Sequence, residues 1–284
     1  VLWLLSLSCS KDPPLFKLDN LNNNEIGCFG HAGMGSRSLY PVNTFESLES
    51  CLNRGADGTE MDVQVTKDSV LVIYHNENLS AATSCSGRIK EMNWSEIQDC
   101  KMNSLLFKNL DVMSFDEFIQ KIPNPKDYIF TWDCKLWIDD FNADNNEYFR
   151  FFARTLIRTM DAYDLGQNIF IENPVIGFLL IAKEMRPSLK LFYLAETYEG
   201  GLEQAVQWKF YGISMHHTKL TAEQIKTAHE NNLHVTLFGV LSEKENYSAV
   251  EKSPDFMQTD NINYLLKIFG KYNKGKGYLF SMSH

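Results

Sequence analysis

The segment "GTEMDVQVT", Gly58 to Thr66, sets Glu60 and Asp62 two residues apart in what reads as a strand. Successive strand side chains alternate, so Glu60, Asp62 and Gln64 share one face while Met61, Val63 and Val65 share the other. The apolar set faces a core. Two carboxylates side by side opposite it repel each other unless a cation or a shared proton intervenes. Downstream, "YIFTWDCKLW" repeats the arrangement, with Asp133 and Lys135 two apart at the end of an apolar run. Two histidines also close β-like runs, His31 in "GHAG" and His75 in "VLVIYHN". Three carboxylates form a hard oxygen set suited to Ca²⁺ or Mg²⁺. Histidines that titrate near neutrality supply a base and an acid, and a lysine supplies a point of charge for an anion. Together these groups describe metal-assisted hydrolysis of a phosphate ester.

The elements that must bring these residues together alternate along the chain. Strand-like runs fall at Ile26 to Gly30, Gly58 to Val65, Val70 to Tyr74, Tyr128 to Trp132, Ile169 to Ile171, Leu189 to Leu194, Gly212 to Met215, His234 to Val240 and Asp255 to Gln258. Helical patterns lie between most of them, at Thr44 to Arg54, Glu147 to Ala162, Val175 to Met185, Leu202 to Lys209 and Ala222 to Asn231. Strands separated by helix-length segments pair in parallel through right-handed crossovers. About eight such units predict a closed (β/α)8 barrel, with an open doubly wound sheet as the alternative. In such a barrel the carboxyl ends of the strands carry the chemistry, and His31, Glu60, Asp62, His75, Asp133 and Lys135 all fall there.

Composition fits a globular chain with a sizeable core: 284 residues, 44% hydrophobic and 22% charged. A formal net charge of −9 and a pI near 5.3 argue against a nucleic-acid partner bound through a basic surface. The first residues, "VLWLLSLSCSKDPP", resemble the tail of a bacterial lipoprotein signal, with Cys9 as the lipidated residue and Ser6 where such signals usually carry Leu. That predicts an exported envelope protein held on a membrane surface, with residues 10–24 as a polar tether, 25–268 as the barrel and 269–284 as a tail. In an oxidising compartment Cys85 and Cys100, which bracket an apparent excursion, are candidates for a disulfide. Cys28, Cys51 and Cys134 read as buried thiols.

The segment from Gly30 to Gly87 resembles the signature region of the glycerophosphodiester phosphodiesterases. The family's His-Arg-Gly, Asn-Thr, Glu-x-Asp, Thr-x-Asp and His-Asp…Leu appear as His31-Ala32-Gly33, Asn43-Thr44, Glu60-Met61-Asp62, Thr66-Lys67-Asp68 and His75-Asn76…Leu79. The later Glu-x-Lys is matched by Asp133-Cys134-Lys135, and "VTLFGV" and "PDFMQTDNINYLL" are similar to the closing strands. The resemblance implies a TIM barrel that uses one divalent cation, Ca²⁺ or Mg²⁺, to cleave glycerophosphodiesters to glycerol 3-phosphate and an alcohol. By position, Glu60, Asp62 and Asp133 are then metal ligands, His31 and His75 the general base and acid, and Lys135 a phosphate contact. Ala32 removes a bidentate arginine, for which Arg37 or backbone N–H groups of the glycine-rich turn could substitute. Asn76 replaces an Asp, and Asp133 a Glu. Glu172, Phe238 and Asp260, near strand ends, are candidates to line the substrate pocket, whereas His216, His217, His229 and His234 are expected to be structural. Two alternatives keep the barrel: a phospholipase D-like or lysophospholipase D-like enzyme at a membrane surface, and a binding protein with impaired catalysis.

Overall fold

The computed structural model describes residues 20–21, 25–104, 106–107, 109–137 and 146–273. The lipidation candidate Cys9, nearly all of the tether and residues 274–284 lie outside them. Eight parallel strands close a barrel: β1 (Gly27–Gly30), β2 (Gly58–Val65), β5 (Ile129–Cys134), β6 (Ile169–Asn173), β7 (Lys190–Leu194), β8 (Gly212–His216), β9 (His234–Val240) and β10 (Phe256–Thr259). Closure is shown by β1, which pairs in parallel with both β10 and β2. The intervening β3 (Leu71–Ile73) and β4 (Met113–Ser114) are antiparallel additions beside β2.

The helices are α1 (Phe45–Asn53), α2 (Trp94–Ile97), α3 (Phe115–Lys121), α4 (Asn146–Ala162), α5 (Ile176–Met185), α6 (Tyr198–Trp208), α7 (Ala222–Glu230), α8 (Glu243–Val250) and α9 (Ile262–Ile268). Several begin at side-chain caps that the sequence shows plainly: Thr44 accepts from Ser47 N–H, and Ser114/Glu117, Thr221/Gln224 and Ser242/Glu245 form capping boxes. Helices α2, α3, α8 and α9 extend the expected set. Each is short, and α8 is mostly polar, so hydrophobic period alone passes over it. Helix α6 starts four residues before the expected Leu202 because Thr197 caps it ahead of two glycines. Gly201 is needed there: a Cβ would approach that of Ala195 to 2.8 Å.

Alternation along the strands divides the interior from the helix layer. Phe29, Ile129, Phe170, Phe192 and Phe256 fill the lower barrel, and the phenylalanine rings contact one another (Phe170 and Phe256 centroids are 4.9 Å apart). The outward set, including Met61, Val63, Trp132 and Ile171, packs under the helices. Between His75 and β4 the chain makes an excursion with its own small core of Val72, Tyr74, Leu79, Ile89, Ile97, Cys100 and Val112. Cys85 and Cys100 form a disulfide across it. Closing a loop of that length is worth about 3 kcal/mol in the chain-entropy account, a useful increment for so small a cluster. Cys28, Cys51 and Cys134 are buried free thiols. Burial pushes the Cys51 thiol up to about 12, which keeps it unreactive.

Candidate active site

The inward positions above the phenylalanine layer carry the polar groups. Glu60 and Asp62 on β2, Asp133 on β5 and Glu172 on β6 lie side by side, because adjacent parallel strands match Asp62 with Asp133 and Asp133 with Glu172. One oxygen from each of Glu60, Asp133 and Glu172 falls within 4.8 Å of the others. Burial, followed by the charges of its neighbours Asp62, Asp133 and Glu172, pushes the Glu60 carboxyl well above its ordinary range. Burial and then Asp133 raise Glu172 to about 7. Burial also dominates the rise at Asp133.

Asp62, beside Asp133 in the register, also pairs with a cation of the chain. Burial alone would raise it, but the Lys135 ammonium, 2.7 Å from Asp62 Oδ1, and His75 nearby hold it low. Asn43 completes its shell, donating Nδ2–H to Asp62 Oδ2 and accepting Asp62 N–H at 3.1 Å. The converging trio is therefore Glu60, Asp133 and Glu172, with Asp62 turned to a cation already in the chain. Lys135 also pairs with Asp133, so it is tied to two carboxylates rather than presented alone to an anion. Glu172, a candidate to line the pocket, stands beside these acids, with Gln258 Nε2 donating to it at 3.1 Å.

His31 stands just past β1 with Nδ1 3.1 Å from Asp260 Oδ2 and Nε2 3.9 Å from Glu60 Oε2. Burial acts to lower its pKa, but the Asp260 hydrogen bond and the Glu60, Asp260 and Asp62 charges outweigh it and raise it to about 10. Asp260 in turn falls to about 2: burial opposes the fall, and the bond to His31 prevails. His75 is exposed at the mouth, its Nδ1 3.2 Å from Asn76 Oδ1. The peptide before it is fixed by Tyr74 N–H donating to Asp62 O at 2.9 Å.

The turn after β1 does not offer an anion nest through the amides that the structure places. Ala32 N–H donates to Glu60 Oε2 (2.6 Å), Met34 N–H to Ser47 Oγ (2.9 Å) and Ser36 N–H to Asp260 Oδ1 (2.8 Å). Ala32 itself is buried in a left-handed conformation at φ 48°. Arg37 is exposed and forms no ion pair with any described residue, and the amides of Ala32 and Ser36 are engaged by Glu60 and Asp260. Phe238, on β9, faces the mouth beside His216. His229 bonds Asp255 Oδ2 at 2.7 Å and His234 stacks on Tyr211 at 4.0 Å, both as packing elements.

The sequence matches the Glycerophosphoryl diester phosphodiesterase family over residues 34–264. The chain belongs to this family. Among curated relatives, a glycerophosphodiester phosphodiesterase from Bacillus altitudinis is 21% identical over 248 residues, covering 84% of this chain and 96% of that one. One from Caldanaerobacter subterraneus subsp. tengcongensis is 23% identical over 247 residues, covering 84% and 97%. Solved structures share the fold: glycerophosphodiester phosphodiesterase from Agrobacterium tumefaciens (TM-score 0.71, 15% identity, 86% of this chain and 100% of that one) and a phosphodiesterase from Oleispira antarctica in complex with the product sn-glycerol-3-phosphate (TM-score 0.70, 17% identity, 86% and 95%). Family membership and the closed barrel agree with what the strand spacing and the signature residues predict. Asp260, a candidate pocket-lining residue, orients His31 instead, and Asn43, part of the signature Asn-Thr pair, holds Asp62.

Proposed function

We propose that the chain hydrolyses glycerophosphodiesters to glycerol 3-phosphate and an alcohol with the help of one divalent cation. The observation that carries the reading is the convergence of Glu60, Asp133 and Glu172 beneath His31 and His75. The donor set fits a hard cation: all the atoms are carboxylate oxygens, and Glu60 Oε1 is buried without a hydrogen-bond partner among the described residues. Glu60, Asp133 and Glu172 would hold the ion, with Asp62 beside them. When bound it offsets the repulsion among the acids and supplies Lewis-acid stabilisation of the phosphate oxygens.

The chain's own groups supply the rest. Asp260 fixes the His31 ring by its Nδ1, leaving the Nε2 edge toward the acids as the atom that exchanges a proton. Two of the charges that raise His31, Glu60 and Asp62, belong to the acid set, so their neutralisation brings the ring down toward the range in which it works as a base. His75, exposed at the mouth beside Asp62, is the candidate acid for the departing alcohol. Lys135 keeps Asp62 ionised and fixed. The Cys85–Cys100 bridge supports the exported location proposed for the chain.

A second reading, action on lysophospholipids at a membrane surface, is favoured by Leu39 and Leu106. They are 70% and 67% exposed on two loops joined by stacking of Tyr40 on Phe107. One assay separates the two: release of glycerol 3-phosphate from glycerophosphocholine, against release of choline from lysophosphatidylcholine micelles, each with EDTA, Ca²⁺ or Mg²⁺. Metal-dependent turnover of the soluble diester, abolished by EDTA, is expected. Cation at about 100 times its Kd should also stabilise the fold by about 2.7 kcal/mol, read as a rise in Tm. Turnover of micelles alone would transfer the assignment to the lipid, and no metal-dependent turnover or Tm shift would overturn both.

A further inference from the structure

Strand β9 breaks its pairing with β10 by one residue: Leu237 faces Met257, but Val240 faces Thr259. The extra residue lies at Phe238–Gly239, where Gly239 has φ +75°. Bulges of this kind re-aim side chains at barrel rims. Here the beneficiary is His216, the last residue of β8 and the register partner of Phe238. A Cβ on Gly239 would fall 2.3 Å from His216 Cδ2 and 2.4 Å from Nε2, so the ring rests where only a glycine leaves space. The Phe238 ring meets it edge-on at 5.6 Å. His216 Nδ1 lies 2.8 Å from Thr218 Oγ1 and accepts Thr218 N–H at 3.4 Å. An Nδ1 that accepts from a backbone N–H carries no proton, which places the hydrogen of the neutral ring on Nε2. That Nε2–H has no hydrogen-bond partner among the described residues. His216 lies two residues beyond Ser214, which is buried close enough to Glu172 to influence its carboxyl. One strand repeat of about 6–7 Å therefore sets the imidazole above the acids, on the wall away from β2.

We infer that His216 is a specificity residue of the mouth, with Nε2–H donating to a hydroxyl oxygen of the glycerol moiety and Phe238 as the apolar side of the same subsite. The inference rests on the phosphodiesterase reading. Its geometry has two supports: a bulge at a glycine whose absent side chain makes room, and an Nδ1 bond that selects the tautomer. The group it recognises is a polyol oxygen one layer above a phosphate, not the phosphate itself.

The test uses the full chain with saturating Mg²⁺ or Ca²⁺. His216→Ala should raise KM for glycerophosphocholine about five- to tenfold, the worth of one neutral hydrogen bond, with kcat within twofold. Bis(p-nitrophenyl) phosphate, which has no hydroxyl, should be turned over unchanged. Gly239→Ala, which keeps the histidine but takes its space, should reproduce the KM effect, and His216→Gln should restore most of the loss. Calorimetric binding of sn-glycerol 3-phosphate, with inorganic phosphate as reference, reads the same contact without turnover: His216→Ala should weaken only the former. Equal losses on both diesters, or no change in either KM or product affinity, would overturn the inference. Absence of turnover in the unmutated chain, with glycerol 3-phosphate still bound through His216, would instead remove the catalytic reading and keep this one.

Discussion

Glu60→Gln is expected to reduce turnover of glycerophosphocholine by about 1000-fold or more while raising the melting temperature of the metal-free protein. The first effect follows if several kcal/mol of charge stabilisation depend on the acid set, since each 1.36 kcal/mol is tenfold in rate. The second follows from the electrostatics. Burial and three neighbouring carboxyls push Glu60 upward, so the native state carries a cost that a neutral amide of the same shape removes. The Ala32 N–H bond to the side-chain oxygen can be kept by the amide carbonyl. Relief of about 1 kcal/mol corresponds to roughly 2 °C in a chain of this size. Scanning calorimetry in EDTA and in Ca²⁺ checks both halves: the variant should melt higher than wild type in EDTA and gain nothing from the cation. A variant that still shifts with Ca²⁺ and still turns over substrate would remove Glu60 from the site.

Asp260→Asn is expected to lower kcat about 100-fold, because a positioned imidazole loses its orienting carboxylate. It should also flatten the alkaline limb of stability in EDTA. His31 is raised from 6.5 to about 10 in the folded chain, so its contribution is complete below pH 6.5 and is lost as pH rises through 10. Asp260 is depressed from 3.8 to about 2, so its contribution is present above 3.8 and is lost as pH falls through 2. Removing the carboxylate returns His31 toward its ordinary value and shrinks the first loss. Urea titrations between pH 6 and 10 measure it. An unchanged slope would show that the His31–Asp260 contact does not operate in solution.

The sequence made the barrel legible because strand-length apolar runs recur at helix-length intervals, and it made most of the acids legible because β2 and β5 obey a two-residue period. The failures are equally physical. His31 and Asp260 are 229 positions apart, and no local pattern says which acid will orient which ring. Glu172 is a lone acid in "IFIEN", so only the β5–β6 register reveals that it joins Asp133. Asp62 is on β2 and Lys135 just past the end of β5, and their pairing is settled by burial, which makes a nearby ammonium the most favourable neighbour for a carboxylate. The glycine-rich turn suggested outward amides, whereas Asp260, Ser47 and Glu60 draw them inward.

The phenylalanines that fill the lower barrel have a kinetic consequence. Phe29, Phe170, Phe192 and Phe256 are buried across one layer, so nothing of substrate size passes through the floor. Among the described residues that layer closes the floor, so what occupies the pocket arrives and departs at the rim where His31 and His75 stand. Product and fresh substrate then share that rim, and product inhibition is the expected kinetic signature.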